Sequence, residues 1–174
     1  MNTLQGKHVR LRALEPDDLP FLVSTENDES FWEISHTQTP FSVAILKNYL
    51  SNAHLDIYEA KQLRLIIEEH ATSKAIGMID LFDFNPQHLR AGVGIMIHRD
   101  FQQKGYGSEA LELLVSYSFT HLNLHQLFAN ITSDNTHSIA LFKKLGFKES
   151  GVKKDWIYSN NTFKDELLFQ RIND

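Results

Sequence analysis

The 174-residue sequence contains no cysteine, which excludes disulfide bridges, thiolate metal sites and cysteine nucleophiles. It also contains no run of about 18 apolar residues, so it predicts no membrane-spanning helix. Residues 1–7 lack the apolar core of a secretory signal peptide. The histidines and acids show no metal-ligand spacing. We therefore expect a cytoplasmic protein with neither a membrane partner nor a metal site.

Basic residues are outnumbered, since 17 lysines and arginines stand against 22 aspartates and glutamates, a formal net charge of −5. A protein that reads a phosphate backbone normally carries a basic face, so we expect no nucleic-acid partner. The acidic balance is compatible with a cationic substrate, although net charge alone does not locate a site. The length and the 42% apolar content are typical of one globular domain, which we expect to span residues 1–174.

Hydrophobic periodicity predicts the element order β-α-α-β-β-β-α-β-α-β-β, a mixed α/β fold. Strands are predicted at 8–14, 62–69, 75–82, 90–98, 126–132, 148–158 and 162–171. Helices are predicted to begin near Glu15 and Ser42 and to span 105–121 and 136–145. Segment 27–41 has no clear period and is expected to be irregular. The three strands within 62–98 form an antiparallel meander, and helix 105–121 predicts a right-handed parallel crossover.

A glycine-rich segment, Gln102-Gln103-Lys104-Gly105-Tyr106-Gly107, opens helix 105–121. Glycines at a helix N-terminus can bring backbone N–H groups against a phosphate. The segment is not a P-loop, because its lysine precedes both glycines. It matches only half of a dinucleotide fingerprint, because Ala110 stands where the third glycine belongs. Taken alone, the segment is also compatible with a plain strand-to-helix turn.

Together with a second segment, this stretch resembles the GNAT superfamily of N-acetyltransferases. Gln102, Gly105 and Gly107 match its motif A, Gln/Arg-x-x-Gly-x-Gly/Ala. Residues 135–147 are similar to its second motif, Asn-x-x-Ser/Ala-x-x-Leu-Tyr-x-x-x-Gly-Phe. The stretches 9–19 and 77–81 resemble the family's first strand with its helix start and its third strand. The resemblance spans nearly the whole chain and points to the branch that acetylates spermidine or ribosomal-protein alanine.

That resemblance implies a fold and a co-substrate. We expect a GNAT fold with a central mixed sheet of six to seven strands, a V-shaped splay between strands 4 and 5, and helices on both faces. Acetyl-CoA would bind at the splay, with its pyrophosphate against the start of helix 105–121. The residues expected at the cofactor are Met96, Ile97, His98, Gln102, Gln103, Lys104, Gly105, Tyr106, Gly107, Ser108, Asn130, Asn135, Ser138 and Phe142.

The resemblance implies a reaction that moves an acetyl group to a primary amine. Two polar side chains that the family commonly uses in this reaction are absent from this sequence. The tyrosine of the second motif is replaced by Phe142, and the glutamate of an Arg-Ala-Glu pattern in the fourth strand is replaced by Gly92. An amine must lose a proton before it attacks, so another group or water must serve. Glu33, Asp80 and His98 are the candidate catalytic residues, and the sequence assigns none of them.

The acceptor is suggested by Phe31-Trp32-Glu33, which resembles the aromatic-acidic stretch of polyamine acetyltransferases. We therefore expect a small-molecule polyamine such as spermidine, with the N-terminus of a protein or peptide as the alternative acceptor. The losses at Phe142 and Gly92 leave a third interpretation open, a non-catalytic acyl-CoA-binding sensor. Dimers are common in the family, so a homodimer is a further expectation.

Overall fold

The computed structural model describes residues 2–174, whose strands form one seven-stranded mixed sheet in the order β1-β2-β3-β4-β5-β7-β6. The strands are β1 (Val9–Arg12), β2 (Leu63–Glu69), β3 (Ala75–Asn85), β4 (Arg90–Ile97), β5 (Gln126–Thr132), β6 (Lys148–Ser159) and β7 (Thr162–Ile172). Only the β4–β5 pair is parallel among these strands, and the others are antiparallel. The predicted mixed fold, the meander and the parallel crossover are confirmed.

Helices cover both faces of the sheet, as predicted. They are α1 (Leu19–Glu26), α2 (Trp32–Ser35), α3 (Val43–Ser51), α4 (Ile57–Ala60), α5 (Tyr106–Thr120) and α6 (Thr136–Lys144). The expectation that 27–41 is irregular was wrong in part, because it holds a 3₁₀ turn at Glu29–Phe31 and α2. No helix in residues 2–174 is long and apolar enough to cross a membrane.

Two clusters of buried side chains form the core, one on each face of the sheet. On the α5 side, Leu111 and Leu114 are fully buried against Leu81, Leu127 and Phe169. The smaller cluster on the other face joins α1 and α3 to β2 and β3 and consists of Leu22, Leu46, Ile66 and Met78. Burying each such side chain stabilises the fold by about 1.5–3 kcal/mol, so the sheet is held from both sides.

The splay between β4 and β5 follows from where their pairing ends. β4 pairs with β5 from Arg90 to Gly92, opposite Gln126 to Phe128. Beyond that point β4 continues beside β3, and β5 continues beside β7 as far as Thr132. In the described structure the two strands therefore diverge, and part of each backbone faces the opening. The predicted V-shaped splay is confirmed.

A nearly buried ion network joins β1 to the turn that precedes α1. The Arg12 guanidinium donates to both Asp18 oxygens, at 2.8 and 2.9 Å, and its Nε donates to Glu68. Asp18 also accepts from the Glu15 N–H at 2.8 Å. Burial opposes ionisation of Asp18, but these hydrogen bonds outweigh it and lower its pKa. Arg10, which is more exposed, also reaches Glu68 at 2.6 Å.

Candidate active site

A cavity of about 790 Å³ lies beside the splay, within the range of small-ligand sites. Most of the residues predicted at the cofactor line it: Met96, Ile97, Gln102, Gln103, Gly105, Gly107, Ser108, Asn135 and Ser138. The cavity is also lined by residues that were not predicted at the cofactor, including Phe31, Ile34, Arg99, Phe101, His137, Leu141 and Lys144. The cavity thus brings the two sequence motifs together.

The glycine-rich segment forms a tight turn at the start of α5. Gln103 and Gly105 both have left-handed backbone conformations, with φ of 60° and 83°. A Cβ at Gly105 would meet no atom of residues 2–174 within 4 Å, so this position faces open cavity space. A Cβ at Gly107 would sit 3.7–3.9 Å from Ile97, Leu141 and Ile95. The turn therefore offers the positive end of a helix dipole to an anion.

Tyr106 was predicted at the cofactor but lies outside the cavity lining. Its hydroxyl donates to Glu69 Oε1 at 2.5 Å, and the Thr72 hydroxyl donates to Glu69 Oε2 at 2.6 Å. The hydrogen bonds from Thr72 and Tyr106 lower the pKa of Glu69. Because Tyr106 follows Gly105 directly, this contact anchors the glycine turn to the end of β2. Lys104 also lies outside the lining, with its ammonium 5.3 Å from the Phe101 ring.

The N-terminus of α6 forms a second polar wall. Asn135 caps this helix, with its side-chain oxygen accepting from the Ser138 N–H at 3.2 Å. Phe142, one turn further on, is only 3% exposed and packs edge-on against Phe147 at 5.0 Å between ring centroids. Phe142 and the exposed Asn130 lie outside the cavity lining. The motif's spacing predicted this helix start, but not the direction of the Phe142 ring.

The segment 28–36 forms one wall of the cavity and is tethered at two points. Arg99 Nη2 donates to Asp28 Oδ2 at 3.1 Å and to Ser30 Oγ at 2.9 Å. Lys164 Nζ donates to Glu33 Oε1 at 2.7 Å and pairs with Asp134 at 2.8 Å. These two carboxylates raise the pKa of the Lys164 ammonium.

Two of the three candidate catalytic residues, Glu33 and His98, lie outside the cavity lining and already have structural partners. Glu33 is engaged by Lys164 and so anchors segment 28–36. His98 caps the 3₁₀ turn Arg99–Phe101. Its Nδ1 lies 3.4 Å from the Asp100 N–H. Neither contact places a proton acceptor inside the cavity.

The third candidate, Asp80, lies on the opposite face of the sheet. Arg64 donates to both of its oxygens, at 2.8 and 2.7 Å, and also to Glu26 at 2.8 Å. Burial of Arg64 disfavours its charged form, but the hydrogen bonds to Asp80 outweigh this effect and raise the pKa of Arg64. Asp80 is directly opposite Gly94 in the β3–β4 register. Among residues 2–174 no three His, Cys, Asp or Glu side chains form a metal-binding group.

The position where the family pattern has a glutamate is closed by an aromatic ring. A Cβ at Gly92 would come within 2.4 Å of the Phe82 ring. That ring packs edge-on against Phe128, with 5.7 Å between centroids. Since Gly92 and Phe128 are the last β4–β5 pair, the two rings cover the apex of the splay. Phe82 therefore occupies the space that a side chain at position 92 would need.

The sequence and the fold were compared with those of known proteins, and both are similar to N-acetyltransferases. The family model described as an acetyltransferase (GNAT) domain matches residues 8–148. The chain is 27% identical over 162 residues to the spermidine N(1)-acetyltransferase of Escherichia coli K12, covering 91% of this chain and 83% of the relative. The spermidine N-acetyltransferase of Vibrio cholerae, solved with CoA and spermine, superposes with a TM-score of 0.86 at 26% identity over 96% of both chains.

A dodecameric structure of the Vibrio cholerae enzyme superposes with a TM-score of 0.80 at 28% identity, over 96% of this chain and 95% of that one. The expected GNAT resemblance and the N-acetyltransferase class are confirmed, and enzymes of this family use acetyl-CoA. The splayed strands, the glycine turn and the capped α6 are thus parts of an acetyltransferase, and the chain belongs to the GNAT family.

Proposed function

We propose that this enzyme transfers the acetyl group of acetyl-CoA to a primary amine of a polyamine such as spermidine. One observation carries the proposal: the cavity at the splay is bordered by the N-termini of both α5 and α6. Two helix N-termini favour a ligand with anionic groups, as coenzyme A has. The polyamine acceptor is supported by the named activity of the E. coli relative and by the net charge of −5.

The pyrophosphate of coenzyme A would lie against the turn at Gln103 and Gly105, where backbone N–H groups and a helix dipole favour an anion. Gln102 is less available, because its side-chain amide donates to the Ile97 carbonyl at 2.9 Å. The thioester arm would extend along Met96 and Ile97, whose strand has separated from β5. Asn135 and Ser138 would border its other side.

In the proposed reaction the neutral amine nitrogen attacks the thioester carbonyl carbon. A nitrogen–carbon bond forms, and the carbonyl oxygen becomes an oxyanion that needs hydrogen-bond donors. When the carbonyl re-forms, the carbon–sulfur bond breaks and the thiolate leaves. A substrate ammonium loses two protons overall; one goes to the thiolate and one to solvent. Phe142 has no proton to donate, so we propose that water carries these protons.

An acceptor panel tests the function. The purified protein is incubated with acetyl-CoA and with spermidine, a diamine or a short peptide, and the free thiol of coenzyme A is followed. We expect turnover with spermidine. Acetylation of peptides alone would instead indicate a protein N-terminal acetyltransferase. Tight acetyl-CoA binding without turnover on any amine would indicate a non-catalytic sensor, and either result contradicts the proposal.

Replacing Phe142 by tyrosine should lower the unfolding midpoint and leave kcat for spermidine unchanged. The ring is 3% exposed and packs against Phe147 outside the cavity lining, so the added hydroxyl would be buried away from the leaving sulfur. Steady-state kinetics, together with the unfolding midpoint of each protein, measures both effects. A marked rise in kcat in a folded Phe142→Tyr protein would show instead that this position reaches the leaving sulfur and can protonate it.

Further properties belong to the same proposal. We propose that residues 1–174 form one catalytic domain that acts in the cytoplasm on small amines, without a nucleic-acid or membrane partner. The dodecameric relative supports self-association of this chain, for which we propose at least a homodimer.

A further inference from the structure

The backbone of the glycine turn adopts an unfavourable conformation. Gln103 and Gly105 have φ of 60° and 83°. Glycine adopts such left-handed values freely, whereas a residue with a Cβ, such as Gln103, does so only at a cost in free energy. A conformation of this kind persists where surrounding contacts determine it. The contacts on either side of Gln103 and Gly105 therefore decide how well the turn keeps its shape.

Before the turn, the chain is fixed to β4 and to the 3₁₀ turn that follows β4. The Gln102 side-chain amide donates to the Ile97 carbonyl at 2.9 Å, and the Gln102 N–H donates to the Arg99 carbonyl at 3.3 Å. The Lys104 ammonium lies 5.3 Å from the centroid of the Phe101 ring, a cation–π contact. These contacts fix the entrance of the turn.

After the turn, Tyr106 fixes the chain to the end of β2. Its hydroxyl donates to Glu69 Oε1 at 2.5 Å, and the Thr72 hydroxyl donates to Glu69 Oε2 at 2.6 Å. Glu69 is only 8% exposed, and its N–H donates to the Lys74 carbonyl at 2.9 Å across the turn between β2 and β3. The carboxylate is therefore held by its own hairpin and offers Tyr106 a fixed acceptor. We call Glu69, Thr72 and Tyr106 the Glu69 clasp.

The protonation states of the Glu69 clasp suit a strong hydrogen bond. The hydrogen bonds from Thr72 and Tyr106 lower the pKa of Glu69, and the bond to Glu69 raises the pKa of the Tyr106 hydroxyl. Near neutral pH the acceptor is therefore a carboxylate and the donor is a protonated hydroxyl. A hydrogen bond to an ionised acceptor is about twice as strong as one between neutral groups. The clasp is therefore intact near neutral pH.

The Glu69 clasp acts on the part of α5 that faces the cavity. Tyr106 is the first residue of α5, and Gly105 is its N-cap. The cavity-lining residues around Tyr106 are Gly105, Gly107 and Ser108. The Tyr106 side chain turns away from them to Glu69. Fixing Tyr106 therefore fixes the backbone N–H groups on both sides of it.

We infer that Tyr106 and Glu69 are positioning residues for acetyl-CoA, acting through the glycine turn without touching the substrates. The inference rests on the proposed function, which puts the pyrophosphate of the co-substrate at this turn. A turn that already has its binding conformation removes the free-energy cost of ordering it on binding. The pyrophosphate is remote from the thioester, so the clasp stabilises the ground state and the transition state equally. It should therefore lower KM for acetyl-CoA and leave kcat unchanged.

Removing the Tyr106 hydroxyl tests the inference. Tyr106→Phe should raise Kd for coenzyme A and KM for acetyl-CoA by about tenfold, with kcat for spermidine within about twofold of wild type. Tyr117→Phe is the matched control, because Tyr117 is also on α5 and also lies outside the cavity lining. The control should keep the wild-type values. Calorimetric titration and steady-state kinetics measure both proteins, and a folded Tyr106→Phe protein with the wild-type Kd would overturn the inference.

Variants of Glu69 show whether its hydrogen bond to Tyr106 carries the effect. Glu69→Ala removes the acceptor and should itself raise Kd for coenzyme A by about tenfold. Glu69→Gln keeps an oxygen that accepts from Tyr106, so its Kd should lie between those of the wild type and Glu69→Ala. In the Glu69→Ala background, Tyr106→Phe should have no further effect. A tenfold effect of Tyr106→Phe in both backgrounds would contradict the inference, since the two residues would then act independently.

The wild-type protein separates the inference from the proposed function. If it does not bind coenzyme A, both fail. If it binds coenzyme A but acetylates no amine, the proposed function fails, and the Kd of Tyr106→Phe still decides whether the clasp positions the turn. If it acetylates spermidine while Tyr106→Phe titrates like the wild type, the inference alone fails.

Discussion

Replacing Gly105 by valine should weaken coenzyme A binding by about a hundredfold, or about 2.8 kcal/mol. Gly105 has φ of +83°, and its missing Cβ faces open cavity space where the pyrophosphate is proposed to approach. Valine would add two methyl groups in that space. It would also strain the backbone, because a branched side chain is strongly disfavoured in the left-handed region. Calorimetric titration with coenzyme A measures the loss.

A control must separate strain from obstruction, and Gly146 supplies it. Gly146 has φ of +84°, and a Cβ there would lie 3.5 Å from the Arg171 side chain, outside the lining of the splay cavity. Gly146→Val should therefore lower the unfolding midpoint much as Gly105→Val does, yet bind coenzyme A normally. If a folded Gly105→Val protein titrates like the wild type, the glycine turn is not the pyrophosphate site.

Replacing Arg12 by alanine should reduce the free energy of unfolding by about 3 kcal/mol, because removing one partner of a buried ion pair leaves uncompensated charge. Asp18 and Glu68 are 7% and 6% exposed at their side chains; Asp18 would lose its side-chain donor, and Glu68 would lose one of its two arginine partners. Arg10→Ala is the matched control, since the Arg10 side chain is 41% exposed and also contacts Glu68. That exposed pair should contribute about 0–1 kcal/mol. Urea unfolding of both variants at neutral pH measures the difference.

The effect of Arg12→Ala should shrink in acid. The pKa of Asp18 is lowered in the folded protein, so its contribution to stability is present above the unfolded value of about 3.9 and is lost as pH falls through the folded value. The difference in unfolding free energy between Arg12→Ala and wild type should therefore be large near neutral pH and should shrink as the pH falls below the unfolded pKa of Asp18 and through its folded value. Equal effects of Arg10→Ala and Arg12→Ala would contradict this account of the network.

Elements with a long hydrophobic period could be predicted from the sequence. β4 and α5 lie within two residues of their predicted bounds, and the β6–β7 hairpin turns at Asn160 and Asn161, which both adopt positive φ. Such paired left-handed residues match the twist of a two-residue hairpin. α2 and α4 were missed because four residues are too few to show a helical period.

The site could be predicted only where a local motif encodes it. Residues around Gly105 and Asn135 line the cavity, because the turn and the helix cap that place them are local structures. The stretch Phe31-Trp32-Glu33 pointed to segment 28–36, but the tethers that hold this wall come from Arg99 and Lys164, which are distant in sequence and belong to no local pattern. The sequence shows that position 92 carries no side chain. Only the structure shows that the Phe82 ring occupies the space that such a side chain would need.

The strand order has a consequence for synthesis of the chain. β5 pairs with β4 only at its first residues, and its full-length neighbour is β7, which is synthesised after α6 and β6. Until β7 docks, β5 presents an open edge, and such edges favour misassociation during folding. Formation of the cleft at the splay therefore waits for β7, whereas the β1–β4 meander can pair earlier from local contacts.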